Sequence, residues 1–213
     1  MGLNDIILLS LSIIIGYLLG SINFAIIIGK VFYNTDVRQH GSGNAGATNT
    51  LRTIGKKAAI FTTIGDLVKG IIACLIGMLL FKGEYPSLGL ILAGSAAILG
   101  HNWPIYFKFK GGKGVLTSLA VMLMVAPIPS LICLGFFIII VVATRFISLG
   151  SIVAAGILPL LVFFLGDMLN SQSGLNPTTY FSIFVAILLI FRHKANILRL
   201  IKGTESRFGS KKK

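Results

Sequence analysis

Charged side chains are scarce in this sequence, and acidic ones are the scarcest. Of the 213 residues only 12% are Asp, Glu, Lys or Arg, and 6 of these are acidic against 19 that are basic. So few charges cannot cover the surface of a water-soluble globule, and the mean hydropathy of +0.92 agrees. The composition therefore predicts a chain that lies in lipid.

Features of nucleic-acid binding and of a cleaved leader are also lacking. A net charge of +13 would favour nucleic acid in a soluble protein. Here no basic run is interleaved with aromatic residues, and the basic residues flank apolar stretches, so no nucleic-acid partner is expected. Residues 1–5 lack a basic signal-peptide start, and the apolar run behind them lacks a clear cleavage site. We interpret that run as an uncleaved first span.

The usual metal and cofactor patterns are missing. Cys74 and Cys133 stand alone within apolar stretches, without metal-ligand spacing. No P-loop is present, and no βαβ unit that could bind a dinucleotide. The sequence therefore predicts neither a metal nor a cofactor, and both cysteines are expected to face lipid or to pack.

Long apolar runs are plentiful. They cover residues 6–30, 57–81, 86–103, 115–144, 149–165 and 178–191, and a helix needs about 20 residues to cross a bilayer. The fourth run is long for one crossing, and Pro127 and Pro129 near its middle remove two backbone donors and predict a break. Whether this run forms two full spans or short broken helices stays open at this point.

Lys and Arg favour the cytoplasmic side of a membrane, and this bias selects a topology. Two crossings by the fourth run place nearly all basic residues inside, in segments 30–57 and 103–114, the turn at Arg145 and the tail from residue 192. The prediction is an all-α polytopic membrane protein with seven transmembrane helices, some of them short, the N-terminus outside and the C-terminus cytoplasmic. Residues 1–213 are expected to form a single integral membrane domain, with residues 201–213 as a basic cytoplasmic tail.

Two opposite charges lie within the second span. Asp66 and Lys69 are three residues apart, so they share a helix face and can form an ion pair. Ion pairs in lipid are costly and often functional. A pair that only holds helices together is an equally weighted alternative, so both residues are predicted as structural support.

Two inside segments are rich in glycine. The first glycine segment, residues 41–49, reads GSGNAGATN and precedes Arg52; the second glycine segment, residues 108–114, reads KFKGGKG. Glycines let backbone amides turn toward an anion, and Lys or Arg beside them suits phosphate. A flexible turn and a plain topology signal are the respective alternatives. The candidate phosphate-binding residues are Gly41, Gly43, Asn44, Lys110, Gly111, Gly112, Lys113 and Gly114.

The remaining inside segments add polar side chains. Arg145 and Ser148 lie in the third inside turn, TRFISLGS. In the tail, His193 and Asn196 are three residues apart, so a helix leaving the membrane would present both on one side. These residues extend the candidate site, although a lone interfacial histidine is more often a bystander.

Six motifs follow one another along the chain: GSGNAGATNTLR, DLVKG, GHNWP, KFKGGKG, TRFISLGS and RHKANILRLIKGTE. In their order and spacing they resemble the bacterial acyl-phosphate:glycerol-3-phosphate acyltransferase family (PlsY) over almost the full length of the chain. One departure is Ala45, where that family frequently has proline. The resemblance implies catalytic roles for Ser42, Arg52, His193 and Asn196. It also implies a glycerol 3-phosphate site at residues 111–114 and a third-motif position, treated as support, at Glu205.

The implied reaction moves an acyl group from acyl phosphate to the 1-hydroxyl of glycerol 3-phosphate. Because the sequence has no metal-ligand cluster, we expect this reaction to need no metal. The implied partners are these two substrates and membrane lipids, with the soluble enzyme that makes acyl phosphate as a further candidate. The implied location is the bacterial cytoplasmic membrane, with the active site on the cytoplasmic side. No Ser-His-Asp arrangement is visible, so the base is either His193 or a substrate phosphate oxygen.

An anion transporter is the main alternative, because glycines and basic residues near broken helices also serve transport. Transport needs polar residues along a route through the bilayer, and only Asp66 and Lys69 lie there. A structural or receptor-like membrane protein would leave the glycine segments without a purpose. The sequence therefore favours the enzyme.

Overall fold

The computed structural model describes residues 2–81, 86–170 and 176–209. These ranges contain α-helices and two short 3-10 helices, at Val37–Gln39 and Ile105–Phe107. The α-helices are α1 (Leu3–Ser21), α2 (Phe24–Tyr33), α3 (Ala47–Thr53), α4 (Lys56–Leu80), α5 (Pro86–Asn102), α6 (Val115–Val125), α7 (Pro127–Thr144), α8 (Ile147–Asn170), α9 (Pro177–Arg192) and α10 (Lys194–Ile201).

Five helical stretches in the described ranges are long and apolar enough to cross a membrane. They are Leu3–Tyr33, Lys56–Leu80, Ser87–Phe107, Pro127–Thr144 and Ile147–Leu165. A sixth is counted if α9 and α10, which meet at a bend of 57°, form one span, and α6 is a shorter apolar helix. The predicted all-helical membrane class is confirmed, while seven crossings and the orientation of the termini stay predictions.

The first apolar run is not one continuous helix, although α1 and α2 together, Leu3–Tyr33, form one stretch that is long and apolar enough to cross a membrane. The chain leaves helical geometry at Ile22 and Asn23, between α1 and α2. Asn23 caps α2 by accepting a hydrogen bond from the Ile26 amide at 3.1 Å. The carbonyl of Ile22 accepts one from Lys69 Nζ at 2.8 Å, which compensates for the lost helix bond.

The predicted break in the fourth run is present. α6 ends at Val125 and α7 begins at Pro127. Proline suits the first turn of a helix, because the amide hydrogen that it lacks would have no hydrogen-bond partner within the helix. The two helices have 11 and 18 residues, so the break lies nearer the start of the run than the expected even division.

The chain divides into two compact units, Met1–Val125 and Ala126–Lys213. In the first, α4 and α5 pack together and α1 packs on both. α1 meets α5 through small residues, because a Cβ at Gly16 or Gly20 would overlap the backbone of Ala93 or Ala97. Cys74 is buried here and packs. The single-domain organisation of residues 1–213 stays a prediction.

In the second unit α8 packs between α7 and α9, and α10 contacts α8 and α9. Cys133 on α7 is buried, so it packs as well. The tail turns back after α10, and the amide of Phe208 donates to the carbonyl of Arg145 at 2.6 Å. Residues 210–213 of the predicted basic tail lie outside the described residues.

Candidate active site

The first glycine segment is shaped by a side chain that sequence reasoning did not single out. Asn49 is 1% exposed, and its Oδ1 accepts a hydrogen bond from the Ser42 amide at 2.9 Å. Its Nδ2 donates to the carbonyls of Val37, at 2.7 Å, and His40, at 3.0 Å. Gly41 has a φ of +61°, and a Cβ there would overlap Asn49 Oδ1. One buried amide therefore fixes the turn that presents Ser42.

The second glycine segment folds against the end of α5. The Gly112 amide donates to the carbonyl of His101 at 3.1 Å. A Cβ at Gly111 would overlap that same carbonyl, and one at Gly112 would overlap His101 Nε2 and lie 2.6 Å from the carbonyl oxygen of Ala45. Since Ala45 belongs to the first glycine segment, the two segments touch at Gly112. Glycine is needed here for close approach.

Arg38 connects the 3-10 helix Val37–Gln39 to the second glycine segment and to Phe107 just before it. Its Nη1 donates to the carbonyls of Phe107, at 3.1 Å, and Lys110, at 3.4 Å. Asp36 accepts from Arg38 Nε at 3.0 Å and Nη2 at 2.7 Å. The hydrogen bond from Arg38 holds the pKa of Asp36 well below its usual range, and Asp36 raises the pKa of Arg38. The charge of Arg38 is therefore balanced by Asp36, and its guanidinium group connects two loops.

The predicted phosphate-binding residues of the first unit lie on these joined segments and on α3. Ser42, Arg52 and Lys110 are exposed, and Lys113 is half-buried. Asn23, which caps α2, also donates to the carbonyl of Ala45 at 3.3 Å. The helix break, the first glycine segment and the second are thus connected through the backbone of one residue, Ala45.

The predicted Asp66–Lys69 ion pair is present and has a third member. Lys69 Nζ lies 2.8 Å from Asp66 Oδ1, and both side chains are at most 3% exposed. His101 Nδ1 lies 2.9 Å from Lys69 Nζ and 3.4 Å from Asp66 Oδ1. Sequence reasoning missed His101, because its 32-residue separation from Lys69 gives no local signal.

In the second unit, Glu205 gathers three donors. Its Oε1 accepts from Ser148 Oγ at 2.8 Å and from Asn196 Nδ2 at 2.7 Å, and its Oε2 accepts from Arg199 Nε at 2.6 Å. Burial opposes the charged form, but the hydrogen bonds from Arg199, Asn196 and Ser148 outweigh it and lower the pKa of Glu205. Three of the predicted residues therefore form one buried network, joined by Arg199.

His193 lies where α9 ends and α10 begins, so the expected continuous helix is corrected to a bend at this residue. Its ring is buried, and Nδ1 lies 2.7 Å from the carbonyl of Leu189. A carbonyl only accepts, so Nδ1 donates, and in the neutral ring Nε2 is the atom that can take a proton. Arg145 is exposed, with a φ of +61° at the end of α7.

These features can be compared with known proteins. The family model described as glycerol-3-phosphate acyltransferase matches residues 10–203. The chain belongs to the glycerol-3-phosphate acyltransferase family. It is therefore an integral membrane protein of a family that acylates glycerol 3-phosphate in phospholipid synthesis.

Other members of the glycerol-3-phosphate acyltransferase family match over nearly the whole length of both chains. The protein of Clostridioides difficile (strain 630) is 42% identical over 203 residues, covering 93% of this chain and 95% of its own. That of Shouchella clausii (strain KSM-K16) is 44% identical, covering 97% and 98%. Crystal structures of PlsY (YgiH), an integral membrane glycerol 3-phosphate acyltransferase, are 38% identical. Its glycerol 3-phosphate form gives a TM-score of 0.82 (94% and 96% covered), and its lysophosphatidic acid form gives 0.80 (94% and 95%).

Proposed function

We propose that this protein transfers an acyl group from an acyl phosphate to the 1-hydroxyl of sn-glycerol 3-phosphate. A bond forms between the hydroxyl oxygen and the acyl carbon, and the bond from that carbon to the phosphate oxygen breaks. The phosphate leaves with the electron pair, and the hydroxyl proton goes to a base. The products are 1-acyl-sn-glycerol 3-phosphate and inorganic phosphate.

The observation that carries this proposal is the contact between the two glycine segments at Gly112 and Ala45. It joins turns that carry Ser42, Lys110 and Lys113, and Arg52 follows the first of them on α3. Two substrates that each carry a phosphate repel each other, so a cluster of Lys, Arg and backbone amides is what their binding requires. The glycerol 3-phosphate form of the related PlsY structure supports the same substrate.

The donor supplies a good leaving group, so the protein has to orient the substrates and stabilise developing negative charge. His193, whose Nε2 can take a proton, is our candidate base, with Asn196 fixed beside it by Glu205. The Lys and Arg side chains supply the positive charge, and we propose that the reaction needs no metal. Arg145 and Ser148 are proposed to bind substrate.

We further propose that the protein crosses a bacterial cytoplasmic membrane seven times, with its active site on the cytoplasmic side. The excess of Lys and Arg in the inside segments supports this orientation. The soluble enzyme that makes acyl phosphate would then deliver its product from the same side.

Purified full-length protein in detergent or lipid tests the activity. It is given labelled glycerol 3-phosphate and palmitoyl phosphate in the presence of EDTA, with palmitoyl-CoA and palmitoyl-acyl-carrier protein as alternative donors. We expect labelled lysophosphatidate from palmitoyl phosphate alone. No product from any donor would refute the enzyme, and product from a thioester donor would refute the acyl-phosphate assignment.

Three variants test the site. Lys113→Ala should raise the KM for glycerol 3-phosphate, because the second glycine segment loses a cation. His193→Ala should lower kcat, because the base is lost. Lys57→Ala, at the exposed start of α4, is the matched control and should keep wild-type kinetics. If Lys113→Ala and His193→Ala also keep wild-type kinetics, the site is misplaced.

A further inference from the structure

The buried cluster of Asp66, Lys69 and His101 lies among α4, α5 and the break between α1 and α2. All three side chains are at most 4% exposed, and Thr117 Oγ1 on α6 donates to the carbonyl of Asp66 at 3.3 Å. Burying two opposite charges in a membrane protein costs free energy that a single apolar contact would avoid. The cost points to a role beyond holding helices together.

The contacts of Lys69 determine where the proton of His101 lies. Nζ lies within 2.9 Å of three acceptor atoms: Ile22 O, Asp66 Oδ1 and His101 Nδ1. An ammonium has three N–H donors and no lone pair, so it matches this set. Toward Lys69, Nδ1 of His101 can only accept. The neutral ring therefore carries its hydrogen on Nε2.

The Nε2 edge of His101 faces the second glycine segment. A Cβ at Gly112 would overlap Nε2, and the backbone of the same histidine accepts the Gly112 amide at 3.1 Å. The ring thus occupies the space where any other residue at this position would place its side chain. A rotation of the ring, or a change of tautomer, would act directly on the backbone of Gly112.

We propose that His101, held as its Nε2–H tautomer by Lys69 and Asp66, is a positioning residue for glycerol 3-phosphate. It supports the second glycine segment from the protein side and fixes the position of the Gly112 backbone next to the substrate. This inference rests on the proposed function, since it takes residues 111–114 as the glycerol 3-phosphate site. It explains why an ion pair buried within a span holds a histidine that contacts the second glycine segment.

Two substitutions of His101 separate positioning from folding. A glutamine amide nitrogen can take the place of Nε2, whereas the shorter asparagine leaves a gap beneath Gly112. His101→Gln should keep the KM for glycerol 3-phosphate within about twofold, and His101→Asn should raise it about tenfold, because the packing beneath Gly112 is lost. The KM for palmitoyl phosphate serves as the internal control and should stay unchanged in both. A purely structural role would lower the yield of folded protein without separating the two KM values.

Equal KM values for glycerol 3-phosphate in the two variants, or parallel rises in both KM values, would overturn the proposal. If His101→Asn cannot be purified, the Asp66→Asn/Lys69→Met double variant takes its place. This double variant removes both charges together, so the tautomer of His101 is no longer fixed by Lys69. It should therefore also raise the KM for glycerol 3-phosphate. A wild-type KM in that double variant would overturn the proposal.

A binding measurement distinguishes failure of this inference from failure of the proposed function. Glycerol 3-phosphate alone should raise the melting temperature of the wild-type protein and of His101→Gln, and should raise that of His101→Asn only at about tenfold higher concentration. If wild-type protein binds glycerol 3-phosphate but makes no product, the proposed reaction fails and the comparison of variants still decides on His101. If the wild type does not bind it, both proposals are overturned.

Discussion

Replacing Glu205 by glutamine tests the network of the second unit most directly. The substitution keeps the shape of the side chain and removes its charge. A glutamine Oε1 can still accept from Ser148 and Asn196, but its NH2 group then faces Arg199 Nε, and two donors cannot bond. One charge-assisted hydrogen bond, 2.6 Å long in the wild type, is therefore lost.

The magnitude follows from that single bond. A hydrogen bond to a charged group contributes about 1.5 to 3 kcal/mol, and the lower end applies because the Arg199 side chain is 37% exposed. A loss of about 1.5 kcal/mol corresponds to a fall in melting temperature of about 3 to 6 °C for a chain of this size. Asn196 also loses its ionised partner, so kcat should fall as well.

Thermal unfolding in detergent and steady-state kinetics measure the two effects. Asp5→Asn is the matched control, since it removes one carboxylate whose hydrogen bond to the Gly2 amide is exposed. In a double-mutant cycle with Arg199→Met, the coupling should equal about 1 to 1.5 kcal/mol. Our interpretation of the network is refuted if Glu205→Gln has the same melting temperature and kcat as Asp5→Asn, or if the coupling free energy is zero.

Three further predictions follow from the described contacts. Arg38→Lys keeps the charge beside Asp36 but cannot reach both the Phe107 and the Lys110 carbonyl, so the KM for glycerol 3-phosphate should rise about fivefold. An unchanged KM would contradict the role of Arg38 in connecting the two loops. Lys69→Met alone leaves the buried Asp66 carboxylate without a counter-charge, at a cost of about 3 to 5 kcal/mol. It should therefore yield a smaller amount of monodisperse protein on size exclusion than Asp66→Asn/Lys69→Met, and equal amounts would argue against the ion pair. In the folded protein the pKa of Glu205 lies below its ordinary value of 4.5. Ionised Glu205 therefore stabilises the folded protein above that pH, and this stabilisation is lost as the pH falls through the folded pKa. The difference in melting temperature between wild type and Glu205→Gln should then become smaller in acid. A difference that stays constant as the pH falls would contradict this prediction.

The features that were predictable from sequence are those set by neighbouring residues. Apolar runs gave the helical membrane class, two prolines gave the break before α7, and i,i+3 spacing gave the Asp66–Lys69 pair. Each of these depends on a short stretch of chain, where periodicity and backbone chemistry dominate.

The features that escaped prediction are set by contacts distant in sequence. Asn23 lies within an apolar run, and only its bonds to Ile26 and Ala45 reveal it as a helix break. Asn49 looked like one polar residue among several in a turn, yet it is the residue that shapes the turn. His101 had no partner in its own motif, because the partner comes from another helix. Polar residues such as these can be recognised in the sequence, but their roles depend on tertiary contacts.

The small-residue contact between α1 and α5 constrains how the chain enters the bilayer during synthesis. α1 is made before α5, its close partner, and α2 to α4 are made between them. Until α5 is made, the surface at Gly16 and Gly20 lacks the backbone of Ala93 and Ala97 that packs against it. The order of synthesis therefore differs from the order of packing, and the surface of α1 is completed by a helix that follows α4.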